Sequence, residues 1–359
     1  MNDTIYHRLR ERLDAIPNGF PATKSGVEIK ILKKIFTDEE AGVFMKLKIS
    51  FETAAKISAR TGLREDYLKA ILSVMDEKGQ IFAITIGGET YYRLMPFVFG
   101  IYEFQLSRID RELSELFEAY SHEAFGGEFF SHTPALMKVL PINVEVPHDV
   151  VIEPYESAIQ LINGAKSWAV HDCICKKEKA LLGHRCDKPM EVCLAFAPME
   201  HVFDNSRSGR AITRDEAIAI LNIAEEAGLV HMTSNTKRGH FYICNCCKCC
   251  CGPLLGYNLT SKHAVAKSNY VAVVDNGLCT ACGICADRCQ AGAVTIGESA
   301  KIDNCIGCGL CASTCPEEAI KIVRRDVSDT TPVPNDEMEW LEERARSRGI
   351  GRDYRQFID

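Results

Sequence analysis

Residues 270–323 read YVAVVDNGLCTACGICADRCQAGAVTIGESAKIDNCIGCGLCASTCPEEAIKIV. The stretch repeats itself. VDNGLCTACGICADRCQAGAVTI, starting at Val274, is followed by IDNCIGCGLCASTCPEEAIKI, starting at Ile302, and the first copy carries two extra residues, Gly277-Leu278, before its first cysteine. Cys279, Cys282, Cys285 and Cys289 have the spacing C-x2-C-x2-C-x3-C; Cys305, Cys308, Cys311 and Cys315 repeat it, with Pro316 directly behind. Cysteines at every third position of a tight loop can aim three thiolates at three corners of one compact cluster, and the same loop cannot also wrap the fourth corner. Zinc prefers C-x2-C pairs separated by a longer span, so two intact runs in tandem argue against a pair of zinc sites.

These runs resemble the bacterial two-cluster ferredoxin family. The resemblance implies a βαββαβ-like domain that binds two [4Fe-4S] clusters, with the fourth cysteine of each run serving the other cluster. Carried onto this chain, it gives cluster one Cys279, Cys282, Cys285 and Cys315, and cluster two Cys305, Cys308, Cys311 and Cys289. Gly283, Gly307 and Gly309 suit loops whose backbone N–H groups turn toward cluster sulfur. The chain departs from the family at Gln290, where a proline is expected after Cys289; ligation should survive that change, whereas loop rigidity is put in question.

The other ten cysteines lie in a middle segment, and none of the eighteen precedes Cys173 or follows Cys315. One group is Cys173, Cys175, Cys186 and Cys193. The other is packed into ICNCCKCCCG as Cys244, Cys246, Cys247, Cys249, Cys250 and Cys251. Adjacent side chains point in different directions, so the second group cannot place all six sulfurs on one metal. A further Fe–S cluster bridging the groups, with Cys173 and Cys175 meeting part of the 244–251 run, is the leading expectation; a structural zinc and redox-active thiols are the alternatives. His171, His184, His201, His231, His240 and His263 have no matching ligand spacing and read as ordinary packing or surface residues.

Upstream, the pattern is helical. Ile5, Leu9, Leu13 and Ile16 make residues 1–20 a short amphipathic helix stopped by Asn18-Gly19. A helix over Asp38–Lys48, one capped by Ser50 and ended by Gly62, and one over Arg64–Lys78 precede a hairpin, IFAITIGGETYYRLM, that turns at Gly87-Gly88. This order resembles a winged-helix domain. Arg64, Lys69 and Lys78 are outnumbered by Glu65, Asp66, Asp76 and Glu77, so protein docking is favoured over DNA binding. One long helix is expected over residues 97–124, stopped by Gly126-Gly127. Pro134, Pro141, Pro147 and Pro154 mark residues 133–157 as an extended connector. Thr213 caps a helix, RDEAIAILNIAEEA, and LVHM and HFYIC follow as strands of what reads as a second small α+β unit. Beyond Asp326 a surface helix is expected over Glu337–Arg346.

Apolar residues at 46 % and charged residues at 25 % are ordinary globular values, so a sizeable core is expected. The net charge of −7 disfavours non-specific binding to nucleic acid or anionic membrane. MNDTIYHRLRERLDAI lacks the apolar run of a secretory signal and no stretch is long enough to span a bilayer, which makes a reducing cytoplasm the expected compartment, where clustered thiols bind metal. No phosphate-cradling glycine loop, dinucleotide fingerprint or nucleophile elbow is present.

The expected class is therefore α+β multidomain. It comprises a helical winged-helix-like domain with a long helix (1–130), a proline-containing connector (131–165), a cysteine-rich metal or Fe–S domain (166–262), a two-cluster ferredoxin domain (263–325) and a tail (326–359). The expected function is relay of single electrons between donor and acceptor oxidoreductases. An Fe–S-based redox-responsive transcriptional regulator, and an oxidoreductase with an active-site cluster, are the alternatives.

Overall fold

The computed structural model describes residues 4–124, 130–142, 153–204, 209–351 and 353–357. The structure mixes helix and sheet and divides into two units. The first comprises residues 1–132, 177–184 and 341–359, and the second residues 133–176 and 185–340. The expected stop at Gly126-Gly127 and residues 143–152 of the expected connector, Pro147 among them, lie outside the described residues.

In the first unit, α1 (Thr4–Asp14) buries Tyr6, Leu9 and Leu13 along one stripe, as its periodicity predicts. Helix α2 (Val27–Ile35) has no counterpart among the expected elements. Its β-branched run VEIKILKKI carries apolar residues at both two- and four-residue intervals, so periodicity alone leaves its type ambiguous. Thr37 and Glu40 form a reciprocal capping box that opens α3 (Asp38–Phe44). Strand β1 (Glu52–Thr53) leads into α4 (Ala54–Thr61). The cap of α4 is Thr53, whose side chain accepts from the Lys56 N–H at 3.3 Å, and not Ser50, because Glu52 and Thr53 are extended and paired with Tyr92 and Tyr91. Helix α5 (Glu65–Glu77) precedes β2 (Ile81–Ile86) and β3 (Glu89–Leu94), which complete a three-stranded sheet of order β1-β3-β2.

The long helix expected over 97–124 is broken. Val98 and Gly100 are extended, Phe99 is left-handed at φ 57°, and only α6 (Arg111–Tyr120), capped by Asp110, is regular α-helix. The break seats Phe97 against Phe20, Phe117 and Tyr120, with ring centroids 4.2–5.9 Å apart, burying aromatic area that a straight helix would leave spread along its length.

The second unit is organised on a seven-stranded sheet. Its elements are β4 (Met137–Leu140), α7 (Ala158–Gly164), β5 (Ser167–Asp172), α8 (Ile174–Leu181, of which Ile174–Lys176 belong to this unit), β6 (Glu191–Ala197), β7 (Arg210–Ile212), α9 (Arg214–Glu226), β8 (Val230–Ser234), β9 (Tyr242–Cys246), α10 (Gly252–Leu259) and β10 (Val265–Ala266). The strand order is β10-β4-β8-β9-β6-β5-β7, antiparallel except for β10 on β4. The connector stretch thus supplies a fully buried strand, β4, and the hairpin β8–β9 forms the middle of this sheet rather than a separate unit. Val170, Leu194, Phe196 and Ile243 pack against Ala217, Ile220, Leu221 and Ala224 of α9, whose first turn is closed by a Thr213–Glu216 capping box.

After this sheet come β11 (Tyr270–Val274), α11 (Ile284–Arg288), β12 (Val294–Ile296), β13 (Ala300–Ile302) and β14 (Ile320–Arg324). Strand β11 pairs with β14 and β12 with β13, so the two sequence repeats are joined by a pseudo-two-fold arrangement of strands. The second repeat has turns where the first has α11. Helix α12 (Glu337–Arg348) is not a surface helix: Trp340, Leu341, Arg344 and Ala345 are buried. It has few aliphatic residues, so hydropathy reads it as solvent-facing, but the indole N–H of Trp340 donates to the Ala135 carbonyl at 3.0 Å and the Arg344 guanidinium to that of His132 at 2.7 Å.

His231 on β8 faces Asn245 on β9 across the ladder, and both are buried. The Asn245 amide donates to the Val192 carbonyl, which leaves its Oδ1 toward the ring and assigns the proton to His231 Nδ1. Burial pushes the His231 pKa down to about 4 from 6.5. Below pH 6.5 the unfolded chain takes up a proton that the folded chain refuses, so stability present above that pH is lost as pH falls toward 4. The pair is expected to cost about 2 kcal/mol of stability between about pH 7 and pH 5. Urea denaturation of wild type and His231→Gln should show the variant less stable at neutral pH with the gap closing in acid; a constant gap would contradict the assignment.

Candidate metal centres

The two C-terminal loops have the same backbone plan. Ala281 and Gly307 occupy equivalent positions, each directly before the second cysteine of its run, and both are left-handed, at φ 54° and 74°. At Gly307 the requirement is absolute, since a Cβ there would lie 2.1 Å from both Ser268 Oγ and the Tyr270 carbonyl oxygen. The loop lies this close because the Ser268 hydroxyl donates to the Gly307 carbonyl at 2.7 Å. Further ties come from Tyr257 Oη to the Asn304 carbonyl (2.7 Å), Ile142 N to the Cys308 carbonyl (3.0 Å) and the Arg325 guanidinium to the Cys305 carbonyl (2.6 Å).

One cavity gathers Cys279, Cys282 and Cys285 of the first run with Cys315 of the second, walled by Ile296 and Ile320. Cys308 and Cys311 are buried, and the thiol charges acting on Cys308 are those of Cys311, Cys305 and Cys289, those on Cys311 being Cys305, Cys289 and Cys285. Burial pushes Cys308 well up and Cys311 up to about 12, with those charges adding to the effect. At such positions a thiol stays protonated unless a bound cation stabilises the thiolate. Backbone N–H groups already point at sulfur: Ala293 to Cys289 Sγ (3.2 Å), Ala300 to Cys279 Sγ (3.4 Å) and Gly307 to Cys305 Sγ (3.3 Å). Apolar walls, all-thiol donors and N–H···S bonds fit an iron–sulfur cluster.

Gln290, the departure from the ferredoxin pattern, is buried. Its Oε1 accepts from the Lys248 N–H at 2.9 Å, its Nε2 donates to the Arg288 carbonyl at 3.1 Å, and its own carbonyl accepts from Asn258 Nδ2 at 2.9 Å. Arg288 in turn donates to the carbonyls of Glu225 and Glu226 at the end of α9. Cross-links thus hold the loop after Cys289 where a proline ring would have stiffened it. Lys248 lies inside the cysteine-rich run, so Gln290 joins the ferredoxin loop to the middle cysteines.

The middle cysteines form two sets. Strand alternation puts Cys244 and Cys246 on one face of β9, with Cys193 of β6 beside them. Thiol hydrogen bonds run through this set from Cys175 to Cys173, Cys193, Cys244, Cys246 and Cys251. Cys173 and Cys244 are held well below the usual thiol range by the S–H groups donated to them, while Cys193 and Cys246, the donors, are pushed well above it. The strand ends at Cys246, and the turn that follows carries Cys247, Cys249 and Cys250 toward Cys186. Those four sulfurs all lie within 4.8 Å of one another. Hydrogen bonding from Cys250 lowers Cys247 to about 5 against the opposing effect of burial, whereas burial raises Cys249 to about 12.

Cys173 is linked through Cys193 to Cys244 of the 244–251 run, while Cys186 gathers with Cys247, Cys249 and Cys250, so the ten thiols fall into two groups that each draw on both stretches of sequence. This division was not read from the sequence; the change from alternation in I-C-N-C to turn spacing in C-K-C-C is the signal that marks it. Lys176 was also missed. It is buried, its Nζ donates to the Pro189 carbonyl at 2.6 Å, and its charge favours thiolates at Cys173 and Cys247. Among the described residues, the set Cys186, Cys247, Cys249 and Cys250 is the one group of ligating side chains gathered this closely, and no histidine belongs to it. His171, His201, His231 and His240 have protein hydrogen-bond partners.

The family of 4Fe-4S binding domains matches residues 272–295 and 302–321. No curated protein and no solved structure matches the chain. The C-terminal segment is accordingly a ferredoxin-type iron–sulfur domain, and with the cysteine cluster it points to electron transfer.

Gly307→Ala is expected to lower the iron retained after anaerobic purification, because the loop must move off Ser268 and Tyr270. Gly292→Ala, also at positive φ but with open space around its Cβ, should retain iron at the wild-type level. Equal iron in the two variants would contradict the packing argument.

Proposed function

We propose that the chain is an electron-transfer protein, or the electron-transfer subunit of a larger oxidoreductase, that relays single electrons between partner proteins through two [4Fe-4S] clusters. The observation that carries this reading is the gathering of Cys279, Cys282, Cys285 and Cys315 in one cavity, drawn from both repeats, inside the segment matched by the 4Fe-4S family. Cys305, Cys308, Cys311 and Cys289 would hold the second cluster. Bound there, such clusters supply reversible one-electron chemistry. The chain's own work is to orient eight thiolates, to donate N–H groups to their sulfurs, and to exclude water with Ile296, Ile320 and their neighbours. The Cys285 charge is among those that act on Cys311, which supports a short path between the two proposed clusters.

The order α3, β1, α4, α5, β2, β3 in the first unit supports a winged-helix-like domain over the N-terminal region. The cations in and beside α5 are already engaged: Arg64 pairs with Asp66, Lys69 with Glu65 at 2.7 Å, and Lys78 with Glu40. A helix whose positive charges are locally neutralised is poorly equipped for phosphate, so this domain is read as a docking module for a protein partner. The same element order is what favours the second reading, a regulator that binds DNA in one redox state. Among the described residues no helix is long and apolar enough to cross a membrane.

Iron and sulfide analysis of anaerobically isolated protein is expected to give about eight of each from the C-terminal domain, lost together in Cys282→Ser/Cys308→Ser. Zinc in place of iron in those loops would overturn the reading. Gel shifts on genomic fragments, with clusters intact and then oxidised, should show no binding at ordinary salt; binding in one state alone would favour the regulator.

A further inference from the structure

We propose that Cys186, Cys247, Cys249 and Cys250 form a closed tetrathiolate site for a single zinc ion, separate from the iron–sulfur domain. Geometry makes the case. Cys186 Sγ is 3.8 Å from Cys247 Sγ and 3.6 Å from Cys249 Sγ; Cys249 Sγ is 3.3 Å from Cys247 Sγ and 3.7 Å from Cys250 Sγ. Four sulfurs around one zinc with bonds of about 2.3 Å stand about 3.8 Å apart, the edge of the tetrahedron. Four thiolates on a cubane stand roughly 6 Å apart, because an iron at each corner intervenes. A group closed within 4.8 Å has room for one ion and none for a cluster. Within this same chain the contrast is internal: the eight ferredoxin cysteines form no such tight group.

Donor chemistry agrees. All four positions are thiols, so no vertex is left for water or substrate, which is the pattern of a structural rather than a catalytic site. Three ligands come from one turn and the fourth, Cys186, from the loop after α8, so the ion would staple a long excursion of chain. Binding replaces thiol protons by the metal with no change of oxidation state. The resulting doubly negative site needs compensating charge, and the buried Lys176 ammonium is in place to supply it.

The consequence reaches the ferredoxin loop. Lys248 sits between two of the ligands, and its backbone N–H and Nζ contact Gln290 Oε1 and the Cys289 carbonyl, at 2.9 and 3.5 Å. A zinc ion would therefore fix the turn against which the Cys289 loop is built. This inference does not depend on the electron-transfer reading, and its readout is zinc rather than iron.

The full chain, isolated anaerobically without added metal, is expected to hold one zinc per chain. Its zinc X-ray absorption should show four sulfurs at about 2.3 Å and no neighbouring metal. Cys186→Ser/Cys249→Ser should lose that zinc and keep the wild-type iron content. Should the variant fail to fold, the absorption spectrum of the wild type decides. Zinc bound through nitrogen or oxygen, zinc retained by the double variant, one iron in its place, or loss of about four irons from the variant would each overturn the assignment.

Discussion

A thiolate withdrawn from water is costly unless a cation stands beside it, and this chain withdraws many. Cys308 is buried among apolar groups and other sulfurs, and its proton is correspondingly hard to remove. The same holds for Cys311, whereas in the middle sets Cys193, Cys246 and Cys250 are pushed up first by the neighbouring thiols they donate to and then by burial. A thiol packed in this way stays protonated unless a bound cation takes the place of its proton. The surrounding architecture follows from it: left-handed backbone at Ala281 and Gly307, N–H groups aimed at sulfur, and a lysine buried beside the middle thiols.

The second unit reads as a scaffold built around that constraint. One face of the seven-stranded sheet packs on α9 through Leu194 and Ile243, and the opposite face presents Cys193, Cys244 and Cys246. Where β9 ends, the chain turns, and the next thiols join Cys186 instead. Gln290 and Arg288 tie the ferredoxin loop to the end of α9 and to Lys248, so that loop is braced by the domain beside it. Substituting a side-chain amide for a ring gives up intrinsic stiffness and gains a specific partner.

What the sequence made legible is what local spacing controls. The eight C-terminal cysteines stand out because their period is set within a single loop, and the hairpin at Gly87-Gly88 and the caps at Thr213 and Gly62 are likewise decided by neighbouring residues. The misses are decided by distant ones. Strand β4 exists because β8 and β10 flank it. The break at Phe97–Ile101 serves an aromatic cluster whose member Phe20 is far away in sequence. The burial of α12 depends on carbonyls at His132 and Ala135. The sorting of ten middle cysteines into two sets depends on β6, β9 and the loop after α8 meeting, which their spacing does not encode.

The most direct test of the central claim is electron paramagnetic resonance of the anaerobically isolated, chemically reduced full chain. Two four-iron clusters, one of them held by cysteines from both repeats, should give a broadened spectrum of magnetically interacting centres, about two spins per chain, that collapses to a single isolated signal in Cys308→Ser. A wild-type spectrum of one isolated centre, or a colourless protein with no signal, would contradict it.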